Sequence, residues 1–183
     1  GSEMCIRDRT WSGLYESFEL NSDVVNGLLS NLILKKFNDK FYLFHDGGGL
    51  FLEISDENLI RKDNSFPFMN KFFGDFINYD SKIYHFGGYG LFRTNNALLI
   101  FDEGNSNQWD EVTFQNGVPD EIVDGIASFS SLLIDSDYYI IGGNSSINND
   151  RFYNQSILKF NFDNYKWSNL GAVSYTHLRA HET

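Results

Sequence analysis

Gly74-Asp75-Phe76-Ile77-Asn78-Tyr79-Asp80-Ser81-Lys82-Ile83-Tyr84-His85-Phe86-Gly87-Gly88 consists of two apolar strands joined by an Asp-Ser turn and closed by a glycine pair. Asp, Asn and Ser tolerate the backbone of a tight turn and bond to it, so the stretch predicts a β-hairpin. Two other segments share the pattern. Upstream, Leu32–Asp46 carries Asn38-Asp39 at the turn, and downstream, Ser130–Gly143 carries Asp135-Ser136-Asp137.

Beyond the hairpin, the second and third copies continue alike. A polar loop follows Gly87-Gly88 and Gly142-Gly143. A third strand comes next, Ala97–Asp102 or Ser156–Phe162, preceded by Asn95-Asn96 or Asn154-Gln155. A turn then leads to a fourth strand that opens with Trp109 or Trp167. Gly88 to Trp109 is 21 residues and Gly143 to Trp167 is 24, while the two Gly pairs lie 55 apart. A four-stranded unit of this length is the size of a propeller blade.

Strand, Gly-Gly, polar loop, strand ending in an aromatic-Asp pair, then Trp: this order resembles the kelch repeat. Ile83–Gly88 through Phe101-Asp102 to Trp109 is the best copy, and Tyr139–Gly143 through Phe162-Asp163 to Trp167 the second. The fold expected is all-β: a partial β-propeller of about three four-stranded kelch-like blades, near 25–65, 70–115 and 125–171. Thr10-Trp11-Ser12-Gly13-Leu14 reads as the last strand of a preceding blade. The first unit departs from the pattern. His45-Asp46 replace the Gly pair, and Leu59 or Ile60 stands where the Trp would be. The glycines Gly87, Gly88, Gly142 and Gly143 are expected to take positive φ where strands end. Trp109 and Trp167 are expected to pack between blades. Regular Gly-Gly and Trp spacing argues against an ordinary β-sandwich. Three blades do not close a propeller, so two raw blade faces are expected, with poor expression or aggregation as the consequence.

Both ends differ from the interior. Gly1–Arg9 and Val173–Thr183 resemble translations of the adapter DNA used in transposon-based sequencing libraries, as opposite strands of one mosaic sequence. Residues 1–9 and 172–183 are therefore set apart from 10–171. The only Cys of the chain, Cys5, falls in the first stretch, so 10–171 holds no disulfide, thiolate nucleophile or zinc-thiolate site. The native N-terminus is expected to lie elsewhere, which leaves signal peptide and compartment unassigned.

The net charge is −11, which repels phosphate backbones and argues against a nucleic-acid partner. No apolar run approaches the roughly 18 residues of a membrane-spanning helix. With 42% hydrophobic and 17% aromatic residues, the chain has ample material for a core.

Chemistry is sparse. Gly47-Gly48-Gly49 lacks the Lys-Ser/Thr of a phosphate loop, and there is no Gly-x-Ser-x-Gly elbow. His85, between Tyr84 and Phe86 on a strand, reads as structural, and His45-Asp46 as a strand-end turn. Asp135–Asp137 and Asp120-Glu121 do not have calcium-loop spacing. Asn144-Ser145-Ser146 and Asn154-Gln155-Ser156 match the short glycosylation pattern, which an Asn-rich chain produces by chance. No catalytic residue, metal site or cofactor is assigned.

The candidate binding residues lie in the loops after the Gly pairs: Tyr89 and Arg93, then Arg151 and Tyr153. Arg beside aromatics suits stacking on, and hydrogen bonding to, a peptide, sugar or carboxylate. The kelch resemblance implies a binding scaffold for a protein or carbohydrate, completed by further blades. The alternative it implies is part of a carbohydrate-active enzyme, such as a sugar oxidase or sialic-acid epimerase, with its catalytic residues outside this chain.

Overall fold

A computed structural model describes residues 32–46, 50–55, 58–63, 71–104, 108–147 and 150–172. Three four-stranded antiparallel sheets follow one another along the chain. The first holds β1 (Leu32–Phe37), β2 (Lys40–His45), β3 (Leu50–Ser55) and β4 (Asn58–Arg61). The second holds β5 (Asp75–Tyr79), β6 (Lys82–Phe86), β9 (Leu98–Asp102) and β10 (Gln108–Glu111). The third holds β11 (Ser130–Ile134), β12 (Asp137–Ile141), β15 (Ser156–Asn161) and β16 (Lys166–Ala172). Two small hairpins interrupt this meander. β7 (Tyr89–Gly90) with β8 (Arg93–Thr94), and β13 (Asn144–Ile147) with β14 (Asp150–Tyr153), both follow a Gly pair. The stretches expected as polar loops are thus paired strands. The Thr10–Leu14 expectation lies outside the described residues.

The turns explain the hairpins. Asn38 and Asp39 have φ of 48° and 24°, and Asp80 and Ser81 have 48° and 59°. Two left-handed central residues make the turn whose twist suits flanking strands, and Asn, Asp and Ser are short enough to adopt it. In the β11–β12 turn only Asp135 is left-handed, at φ 52°.

Apolar side chains on both faces of a strand must be buried twice. β6 does this, with Ile83, Tyr84, His85 and Phe86 all buried, because the second sheet is sandwiched by the other two. One core cluster joins Phe37, Tyr42, Phe44 and Phe51 of the first sheet to Phe76, Ile83, Phe101 and Trp109 of the second. The other joins Ile77, Tyr84 and Phe86 to Tyr138, Ile140, Phe160, Phe162 and Trp167. Ring contacts mark both seams: Phe44 stacks on Phe76 at 3.8 Å, and Phe86 meets Trp167 at 5.3 Å.

Register shows the sheets to be copies of one unit. Trp109 lies opposite Phe101 and Trp167 opposite Phe160, with ring centroids 5.3 and 5.1 Å apart. In the first sheet Leu59 lies opposite Ile54, so Leu59, and not Ile60, holds the Trp position. Asp75, at the start of β5, links the second sheet to both of the others. It pairs with Lys35 of β1 at 3.2 Å and accepts bonds from Ser131 (2.6 Å) and Tyr138 (3.1 Å).

Both tryptophans are buried, so truncation leaves a seam cavity. Trp109→Ala or Trp167→Ala should each cost about 3–5 kcal/mol in urea unfolding. Exposed Leu170→Ala should stay within about 0.5 kcal/mol. Equal effects at the three positions would contradict seam packing.

Candidate functional site

β6 and β12 both end at the same edge of their sheets, opposite the starts of β5 and β11. The inserted hairpins and the connectors that enter each sheet therefore share one face, the loop face. Equivalent residues build it twice. Phe72 exchanges two backbone bonds with Tyr89, the residue after Gly87-Gly88. Ala127 does the same with Asn144, after Gly142-Gly143. Phe73 and Ser128, one residue further on, have φ of 62° and 54°. The Phe73 N–H donates to both carboxylate oxygens of buried Asp46, and the Ser128 N–H donates to the Phe73 carbonyl, so the rim is stitched from sheet to sheet. Burial is the main cause holding the Asp46 carboxyl above its usual range, and the Phe73 N–H opposes it.

Glycine is required where this stitching is tight. Gly87 has φ 72°, and a Cβ there would sit 2.7 Å from the Ile126 carbonyl oxygen. At Gly143, with φ 86°, it would sit 2.8 Å from the Phe129 Cβ. Asn95 and Asn154 then close each inserted hairpin. Their N–H groups donate to Gly88 and Gly143, and their side-chain oxygens accept from the N–H two residues on, at Ala97 and Ser156. The Asn154 amide also donates to Gly142 and Ser156, so it is committed inside the fold.

The two hairpins are tied to each other through Thr94. Its buried hydroxyl donates to the Asp124 carbonyl at 2.7 Å and accepts from the Ser146 N–H at 3.0 Å. Ser145 donates to the Gly125 carbonyl beside it. Above this polar floor lies a cleft of about 260 Å³ lined by Arg93, Asn95, Asn96, Val123, Asp124 and Ile147, among others. Of the four residues singled out from sequence, only Arg93 lines the cleft. Tyr89 is half-buried at the root of the first hairpin, and Arg151 and Tyr153 are exposed on β14. Neither arginine forms an ion pair among the described residues.

The hairpin tip is the unexpected feature. Leu91 and Phe92 are 74% and 79% exposed, with φ of 50° and 66°. Bulky residues avoid that region, and a turn of this kind favours Asn-Gly. Phe152 and Tyr153 add a second exposed apolar pair on the neighbouring hairpin.

Two basic groups lie beneath the loop face. His85 is fully buried in edge contact with Phe76 and Trp109, and burial, then the Lys71 charge, holds its pKa down to about 3. It is neutral at physiological pH and unreachable from the cleft. Lys71 is buried, and its Nζ donates to the Asn95 side-chain oxygen at 3.1 Å. Burial lowers its pKa to about 8, partly offset by Glu111. Among the described residues no group of three or more His, Cys, Asp or Glu could hold a metal ion. No helix among them is long and apolar enough to cross a membrane.

No protein-family model matches the chain, and no curated protein matches it. A solved structure titled "Structure of YjhT" has the same fold, with a TM-score of 0.64 and 18% identity over 79% of this chain and 51% of that one. The chain is a partial β-propeller. It spans about half the length of YjhT, and at this identity the likeness concerns the fold alone.

Lys71 gives the site a pH signature. Its folded pKa lies below the unfolded value of 10.5, so the unfolded chain binds more protons between about pH 8 and 10.5. Stability should therefore rise with pH across that window. Lys71→Met should flatten the rise and stabilise the protein at pH 7. An unchanged slope in urea melts at pH 7.5 to 10 would refute this.

Proposed function

We propose that the chain is a kelch-like propeller module that binds a protein or carbohydrate ligand on its loop face. Tyr89, Arg93, Arg151 and Tyr153 would contact that ligand around the Leu91-Phe92 tip. The observation that carries this reading is the tip itself. Two large apolar side chains in left-handed backbone, directed to water, cost about 1–3 kcal/mol each and bring no burial in return. Such strain is retained where it serves recognition, and loops on a rigid scaffold commonly bind. The neighbouring Arg93 and Arg151 stand out in a protein of net charge −11, which suits a ligand with carboxylate or hydroxyl oxygens.

The same reading takes residues 10–171 as blades at about 25–65, 70–115 and 125–171 of a longer kelch-like propeller, and residues 1–9 and 172–183 as adapter-derived. Sequencing the locus on unfragmented DNA should then show the frame running on through Thr10 and Gly171 into more Gly-Gly…Trp units. A frame that begins at Gly1 and stops after Thr183 would remove that part.

For binding, the double variant Leu91→Asn with Phe92→Gly should raise stability by about 1–2 kcal/mol, because it places turn formers in the strained positions. It should also cost at least tenfold in affinity for any hit from a glycan array or a displayed-peptide library, as should Arg93→Ala. Hits that bind the double variant as well as the parent would sink the loop-face assignment.

A further inference from the structure

β16 is the outermost strand of the third sheet and pairs with β15 on its inner side. The connector that leaves β10 runs along its outer edge. There the Gln115 N–H donates to the Tyr165 carbonyl at 2.9 Å. Asn116 then uses its carboxamide as a strand would use a peptide group. Its Oδ1 accepts from the Trp167 N–H at 2.9 Å, and its Nδ2 donates to the Trp167 carbonyl at 2.9 Å. Further on, Glu121 accepts from the Asn169 side chain. Under this line, Phe114 meets Phe160 and Trp167 edge-on at 5.5 and 5.8 Å, and Ile122 is fully buried. The connector is thus a strap over backbone groups that an edge strand would otherwise leave unpaired.

The strap has one chemically weak link. Asn116-Gly117 is the one Asn-Gly pair among the described residues, and both members are exposed. Glycine has no Cβ to keep its nitrogen from the preceding carboxamide carbon, and Asn is among the thermolabile residues. Nothing lies within 4 Å of where a Gly117 Cβ would sit, so the surroundings do not obstruct the reaction.

We infer that Asn116 is a site of spontaneous deamidation, gated by the strap, and that its conversion unlatches the outer edge of the third sheet. The Gly117 nitrogen bonds to the Asn116 Cγ and gives up its proton. The Cγ–Nδ2 bond breaks, and ammonia leaves with that proton. Water then opens the succinimide to aspartate or isoaspartate. While the strap is closed, the carboxamide is held on Trp167, and swinging Cγ onto the Gly117 nitrogen breaks both bonds. The product cannot relatch. Its carboxylate has no N–H for the Trp167 carbonyl and sets negative charge against it. Isoaspartate also adds a carbon to the main chain between Gln115 and Gly117. All the residues involved belong to the third sheet and the connector that enters it, so the inference does not depend on what the loop face binds.

Peptide mapping of the full chain held at mildly alkaline pH should show aspartate and isoaspartate appearing at position 116. The loss of two hydrogen bonds sets the rate at least about fivefold lower in the folded protein than in urea. Gly117→Asn tolerates the φ of 72° but hinders the attack, and should slow conversion in both states. The isolated deamidated protein, its fold checked by circular dichroism, should exchange the Gln115 and Trp167 N–H groups at least about fivefold faster than the parent, with the β12 amides unchanged. Asn116→Ala removes both bonds without adding charge and should speed the same two amides, which keeps the strap testable if the deamidated chain does not fold. No conversion at position 116 in urea would refute the site, and equal rates folded and in urea would refute the gating. Gln115 and Trp167 amides as protected in the deamidated protein or in Asn116→Ala as in the parent would overturn the unlatching.

Discussion

Everything in this fold depends on aromatic faces buried between successive sheets. Neither core cluster belongs to one sheet. One lies in the first seam and the other in the second, and the middle sheet contributes to both. A single four-stranded sheet with apolar residues on both faces cannot bury them alone. Stability therefore comes from neighbours, as in other stacked repeats. The side-chain period of two makes this possible: Ile83 and His85 face back, while Tyr84 and Phe86 face forward. A one-residue slip in any hairpin would exchange the two sets, and the paired turn residues Asn38-Asp39 and Asp80-Ser81 hold the register against it.

The loop face is stiff because the same logic is repeated in hydrogen bonds. Each connector pairs with the residue that follows the glycine pair of the sheet it enters, and each Asn closes its hairpin on a glycine carbonyl. Thr94 then links one insert to the next. Polar groups that would be costly to bury are satisfied in this layer. The exposed side chains above it sit on a fixed base, which is what lets an exposed Leu-Phe turn hold an unfavourable backbone. A floppy loop would relax it.

Much of this was legible in the chain. The three hairpins, the Gly pairs and the two Trp positions follow from local turn chemistry and spacing. They carry the four-stranded units and the propeller class. Three things were not legible. The inserted hairpins read as loops, because Leu91-Phe92 offers no turn signal and strands of two residues show no period. The Trp position of the first sheet was open between Leu59 and Ile60 until the pairing with Ile54 placed it. Thr94, Asn95 and Lys71 meet only in three dimensions, and nothing around Lys71 in sequence marks it as buried. Asn95 had a local signal, its match with Asn154, but besides Ala97 its partners Gly88, Lys71 and Ile126 are 7 to 31 residues away.

The middle sheet differs from the outer two in a way that composition hides. All three have apolar residues on both faces, so their sequences alike call for two neighbours, and among the described residues only the middle one is packed on both sides. β12 alternates between buried and open positions, although Tyr139 and Ile141 are as apolar as the residues they match in β6. A strand selected to face water on one side would carry polar residues there. The exposed positions of the outer sheets thus carry the same residue types as the packed positions of the middle one.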